Sequence, residues 1–153
     1  MTQKSSAGLM LYRRNPGGLE VFLVHPGGPY WARKDAGAWS IPKGECAEGE
    51  DFLLAARREF EEETGVSVDG AFHALPAVRQ KAGKAVHAWA LERDVALEGL
   101  ASNNFSMEWP PRSGRMQVFP EVDRYGWFTL DQARAKINEG QRALLDALEA
   151  MLG

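Results

Sequence analysis

Residues 50–64, EDFLLAARREFEEET, run without glycine or proline and consist largely of strong helix formers, so one helix is fixed before any other element. Gly65 follows where a left-handed C-cap belongs. Glu59, Glu62 and Glu63 are the i, i+3 and i+4 positions of that helix and share an arc of about 100° on one face. Glu61 points away from them, toward solvent. Leu53, Ala56 and Phe60 occupy the adjoining arc, which makes that side the core-facing one and places the three carboxylates at its edge. Like charges at these spacings destabilise a helix by roughly 0.2–0.5 kcal/mol per pair. A divalent cation, which takes several carboxylate oxygens at once, would offset that cost. Arg58, four residues before Glu62, is placed to pair with it. The cluster alone also fits an ordinary charged helix face.

Around this helix the chain reads as strands. Residues 7–13 and 19–25 are strand-like and flank Asn15-Pro16-Gly17-Gly18, which is turn chemistry. A Gly- and Pro-rich loop at 26–36, a short strand at 38–41 and a second loop at 42–49 follow. Strands are expected at 72–80 and 85–93, turning at Ala82-Gly83, and at 125–129. Residues 94–124 carry no clear pattern apart from SNNFSMEWPPRSG, 102–114, which has loop chemistry, and helices are expected at 131–137 and 141–152. The order strands, helix, strands, helix predicts an α+β domain with helices covering a mixed sheet. No repeat or linker divides residues 1–153, so a single domain is expected.

The formal charge of −3 and pI of about 5.7 do not match the basic footprint of a protein that grips long nucleic acid. Cys46 is the one cysteine, which rules out a disulfide within the chain and suits a reducing compartment. The apolar stretch near the N-terminus is too short for a signal-peptide core, and there is no run of 18 apolar residues. A cytoplasmic protein without a membrane partner is the expectation. His25, His73 and His87 fall in or near strands and read as packing or hydrogen-bonding residues.

The loop before the helix, WSIPKGE, adds Lys43, which can meet phosphate, and Gly44, whose carbonyl can approach a cation. Together, Gly44, five residues, Glu50, seven residues, Arg58-Glu59-Phe60, one residue, Glu62-Glu63, one residue, and Gly65-Val66 resemble the Nudix box, with every specified position filled. The resemblance implies a Nudix-type α/β/α sandwich with a mixed sheet and the box as loop–helix–loop. It implies metal-dependent hydrolysis of a phosphoanhydride in a nucleoside diphosphate-linked substrate, with Mg²⁺ or Mn²⁺ held by Glu59, Glu62, Glu63 and the Gly44 carbonyl. Glu50 and Arg58 would support the loop and helix. The general base would be Glu59 or a later carboxylate, Glu121 or Glu108.

Outside the box, WSIPKGE, Gly83-Lys84 and EVDRYGWFTLDQA resemble the diadenosine tetraphosphate hydrolase branch. Glu45 and Val122 depart from it, standing where that branch usually has histidines. The likeness implies a small nucleotide substrate, a dinucleoside polyphosphate or a relative, with Lys43, Lys84 and Trp109 as binding residues. Tyr30, Trp31 and Tyr125 are further aromatics able to stack on a base. Removal of diphosphate from RNA 5′ ends and inositol pyrophosphate hydrolysis are alternative activities. A nucleotide-sensing module without catalysis is the alternative of another class, and the intact box glutamates speak against it. A monomer or a homodimer is expected.

Overall fold

The computed structural model describes residues 5–80 and 83–153. Residues 1–4 lie outside them, as does Ala82 of the expected turn. Strands β1 (Ser5–Asn15) and β2 (Gly18–Pro26) pair antiparallel around the Pro16-Gly17 turn. β3 (Lys43–Glu45) runs antiparallel to β1, and helix α1 spans Phe52–Thr64. β4 (His73–Ala74), β5 (Val78–Arg79) and β6 (Ala85–Glu92) follow, then β7 (Asn104–Glu108), β8 (Met116–Pro120) and β9 (Val122–Thr129). Helices α2 (Leu130–Lys136) and α3 (Arg142–Leu152) close the chain.

The main sheet runs β4-β6-β1-β2-β9, with β3 paired to β1 and β5 to β6. β1 and β6 are parallel and the other pairs antiparallel, which makes the sheet mixed. The middle of β1, residues 7–12, is continuously apolar because both of its faces are covered there. Ala7, Leu9 and Leu11 join Phe22, Val24, Ala55, Ala56 and Phe60 in a core beneath α1. Met10 and Tyr12 join Val21, Leu23, Leu144, Leu145 and Leu148 in a second core beneath α2 and α3. The expected α+β sandwich with a mixed sheet is the observed architecture.

Local differences from the sequence reading have physical causes. The helix begins at 52 because the Asp51 carboxylate caps it, accepting from the Leu54 N–H at 3.1 Å. Residues 38–41 form only isolated bridges, Val24 with Ser40 and Trp39 with Ile137. The strand lies instead in the expected loop, at 43–45. There β3 comes so close to β1 that a Cβ on Gly8 would sit 2.5 Å from the Pro42 carbonyl oxygen. The expected strand at 72–80 is two short pieces, with Pro76, which has no N–H to pair, between them. The stretch 102–114, expected as loop, supplies strand β7 and the turn of the β7–β8 hairpin, in which Phe105 lies opposite Phe119. β9 starts at Val122, three residues earlier than expected.

Candidate functional site

The loop before α1 is pinned to the helix by one guanidinium. Arg58 donates from Nε to Glu50 Oε2 at 2.9 Å, from Nη2 to Glu50 Oε1 at 3.0 Å, and to the Glu45 carbonyl at 3.3 Å. Its Nη1 reaches Glu59 Oε2 at 2.6 Å and Glu62 Oε1 at 3.2 Å, so the expected Arg58–Glu62 contact forms within a larger network. Glu50 also accepts from the Ala47 N–H at 2.9 Å. Hydrogen bonding by Arg58, then by that N–H, holds the Glu50 carboxyl at about 2. Glu50 is therefore a fixed anion that ties loop to helix, and Arg58 stays protonated.

Two carboxylates of α1 behave in the opposite way. Burial, followed by the hydrogen bond and charge of neighbouring Glu62, pushes Glu59 up to about 7. Burial, then the charge of Glu59, pushes Glu63 up to about 8, although the Lys43 ammonium and backbone N–H pull it back. Gly44 sits against Glu59: a Cβ there would lie 1.7 Å from Glu59 Oε1. Half-buried carboxyl groups that resist ionisation, beside a backbone that leaves room for nothing larger than a hydrogen, have the chemistry of a hard-cation site. Among the described residues, no three acidic, histidine or cysteine side chains are placed so that they could hold an ion together. Arg58 takes Oε2 of Glu59 and both oxygens of Glu62, and leaves Oε1 of Glu59 against Gly44.

Glu121, between β8 and β9, is brought to the same place by backbone. The segment 101–103 lies across the end of α1: Ala101 N–H donates to the Thr64 carbonyl at 3.1 Å and Asn103 N–H to the Glu62 carbonyl at 2.9 Å. The Asn103 carbonyl then accepts from Glu121 N–H at 2.9 Å, and Ser102 Oγ accepts from Val122 N–H at 3.0 Å. Burial and the charge of Glu62 raise the Glu121 pKa. Sequence reasoning missed this clamp. Its key contacts are made largely by backbone atoms, and a row of residues such as Ala-Ser-Asn carries no signal for them.

Glu121 and Glu63 share a cleft of about 180 Å³ with Lys43, walled by Val24, Ile41 and Val122. Lys43 also faces a wider cleft of about 530 Å³ with Trp31, Gln80, Lys84 and Asn138. Burial lowers the Lys43 pKa against the opposing charges of Glu63, Glu59 and Glu45. Lys84 donates to Glu45 Oε1 at 3.0 Å. The two lysines thus stand along a path leading from the carboxylates into the wider cleft, a suitable lining for a chain of phosphates.

Other named residues lie elsewhere. Both oxygens of Glu108 accept backbone N–H groups of the hairpin loop, from Arg112 and Gly114, each at 3.0 Å. Trp109 packs edge-on against Tyr30, at 5.1 Å between centroids, and is in neither cleft wall. Tyr125 lies parallel to Phe22 and donates to the Glu63 carbonyl at 2.6 Å, a structural position. His25 is fully buried, with its ring nitrogens 2.6 Å from Asp123 Oδ1 and 2.6 Å from the Lys34 carbonyl. His87 stacks on Phe52.

A model of the NUDIX domain family matches residues 2–148. The chain is similar to an RNA pyrophosphohydrolase of Caulobacter vibrioides, with 48% identity over 52 residues. That match covers 31% of this chain and 30% of that protein, so the chain spans under a third of the curated relative's length. Among solved structures, a Caenorhabditis elegans Ap4A hydrolase in a binary complex is similar with a TM-score of 0.65 and 24% identity, over 97% of each chain. The NUDIX domain of Shewanella oneidensis NrtR, complexed with ADP ribose, is similar with a TM-score of 0.69 and 17% identity, over 100% of this chain and 90% of that one.

Proposed function

This chain belongs to the Nudix family, and on that premise we propose that it is a hydrolase of pyrophosphate bonds that cleaves a dinucleoside polyphosphate or a closely related nucleotide. Residues 1–153 are read as one Nudix domain. The observation that carries the proposal is the juxtaposition of the Glu59–Glu62–Glu63 cluster with Lys43, which opens onto Lys84 and a cleft of about 530 Å³. That volume suits a nucleoside, and the two ammonium groups suit the phosphates between it and the carboxylates.

Glu59, Glu62, Glu63 and the Gly44 carbonyl would hold Mg²⁺ or Mn²⁺. When bound, such an ion neutralises polyphosphate oxygens and acidifies water. Glu50 and Arg58 keep loop and helix in register. Lys43 and Lys84 orient the phosphates. Glu121 takes the proton of the attacking water. Its carboxylate has no hydrogen bond or ion pair among the described residues, and burial and the charge of Glu62 raise its pKa. Glu108, committed to the hairpin loop, and Trp109, outside both clefts, are given no role.

A panel of nucleotides with Mg²⁺ and chromatographic identification of products tests this reading. Diadenosine tetraphosphate is expected to be cut asymmetrically, to ATP and AMP. An active preparation that leaves it intact while cutting another nucleotide would refute the substrate assignment. The likeness to an RNA pyrophosphohydrolase makes 5′-triphosphorylated RNA the comparison substrate. A preference for it would replace the dinucleotide reading.

The cation role has a signature independent of turnover. Glu63 and Glu59 have folded-state pKa values above the ordinary carboxylate value, so the protonated form favours folding. The stability this confers is fully present below about pH 4.5 and is lost as pH rises through about 7 and about 8. A cation binds the deprotonated form and reverses the loss. Calorimetry is expected to show a larger Mg²⁺-induced rise in Tm at pH 8.5 than at pH 5.5. Equal rises at both would count against the cluster as the binding site.

A further inference from the structure

We propose that the wider cleft reads the nucleobase through the carboxamide of Gln80, and that it selects a base presenting an amino donor beside a ring-nitrogen acceptor, as adenine does. The inference rests on the preceding reading of the site and names the part of the substrate that reading left open.

The orientation of the carboxamide is dictated by its neighbours. The Trp39 backbone carbonyl can only accept, so Asn138, at 3.4 Å, turns its Nδ2 toward it. Asn138 Oδ1 then faces Gln80 and accepts from Gln80 Nε2 at 3.0 Å. This relay fixes which end of each amide is which. Gly140 holds the stem from the other side: a Cβ there would lie 3.0 Å from Gln80 Cγ. Gln80 is left with its Oε1 acceptor and one Nε2 hydrogen uncommitted among the described residues, in the wall of a cleft that also holds Lys43 and Lys84. An acceptor and a donor side by side match the amino group and ring nitrogen of adenine. Hypoxanthine presents the opposite pair, a carbonyl oxygen and a ring N–H. Meeting it would require Gln80 to flip and break its bond to Asn138.

Trp31 supplies the complementary, base-indifferent contact. It is 40% exposed, lines the same cleft, and has Lys34 Nζ 5.0 Å from its ring centroid. Stacking on an aromatic ring favours any base and discriminates little.

The test is equilibrium binding of AMP and IMP to the full chain with Mg²⁺, measured by calorimetry. AMP is expected to bind roughly tenfold more tightly than IMP, the scale of one bidentate amide contact. Gln80→Leu is expected to bring the two affinities within about twofold of each other, with Tm retained. Trp31→Ala is expected to weaken both nucleotides equally. Equal affinities in the wild type, or discrimination that survives Gln80→Leu, would overturn the proposal. Efficient hydrolysis with no preference between adenine and hypoxanthine nucleotides would sink this subsite and leave the hydrolase reading standing. Selective AMP binding by a chain that hydrolyses no nucleotide would do the reverse.

Discussion

Replacing Glu62 by glutamine is expected to lower turnover at least ~100-fold while leaving the fold intact, because it removes one of the charges that would hold the cation. Glutamine keeps the side-chain shape and an oxygen for Arg58, which donates to both Glu62 oxygens at 3.2 and 3.3 Å. The clamp from Asn103 reaches the Glu62 backbone carbonyl and is untouched. Tm should hold or rise slightly, since Glu59 loses a like-charged neighbour. Steady-state kinetics across a Mg²⁺ titration, with calorimetry on the same samples, separates the two effects. Turnover within a few-fold of wild type at saturating Mg²⁺ would remove Glu62 from the cation site.

Gly44→Ala is expected to reduce turnover by about 100-fold for a different reason. The φ angle of Gly44 is not in the left-handed region, so alanine meets no backbone strain there. The new methyl would fall 1.7 Å from Glu59 Oε1 and 2.1 Å from its Cδ, so the carboxylate has to swing away. Displacing a reacting or ligating group by an ångström can cost on the order of 100-fold in rate. The collision is with the end of a flexible side chain, so the stability change should be small. A variant with wild-type kcat would show that the contact between Gly44 and Glu59 has no part in catalysis. A variant that also loses Tm heavily would place the damage in the β1–β3 pairing.

The two substitutions probe features of unequal legibility. The charge cluster and its helix follow from spacing alone, because residues three and four apart on an α-helix must share a face. The Gly44–Glu59 contact was visible only as a motif position, and its physical basis appears once β3 lies beside α1. Glu121 was named from resemblance. Its approach to the cluster depends on the backbone clamp at 101–103, which leaves no mark on side-chain chemistry. The β7–β8 hairpin escaped because its strands are short, largely exposed and apart from the main sheet, and the alternation of β7 covers only five residues. Trp109 looked suited to stacking by its Pro-rich setting, yet the fold gives it Tyr30 as a partner and gives the cleft Trp31.

By itself the sequence determined α1, the first hairpin and the acidic box, since each rests on interactions within a few residues or on helical periodicity. Only the tertiary structure decided that Lys43 lies between the carboxylates and the wider cleft, that Arg58 gathers Glu45, Glu50, Glu59 and Glu62, and that Gln80 meets Asn138 across 58 positions of chain. Contacts of that kind depend on the strand order and on how closely backbones approach, and neither is encoded in local spacing.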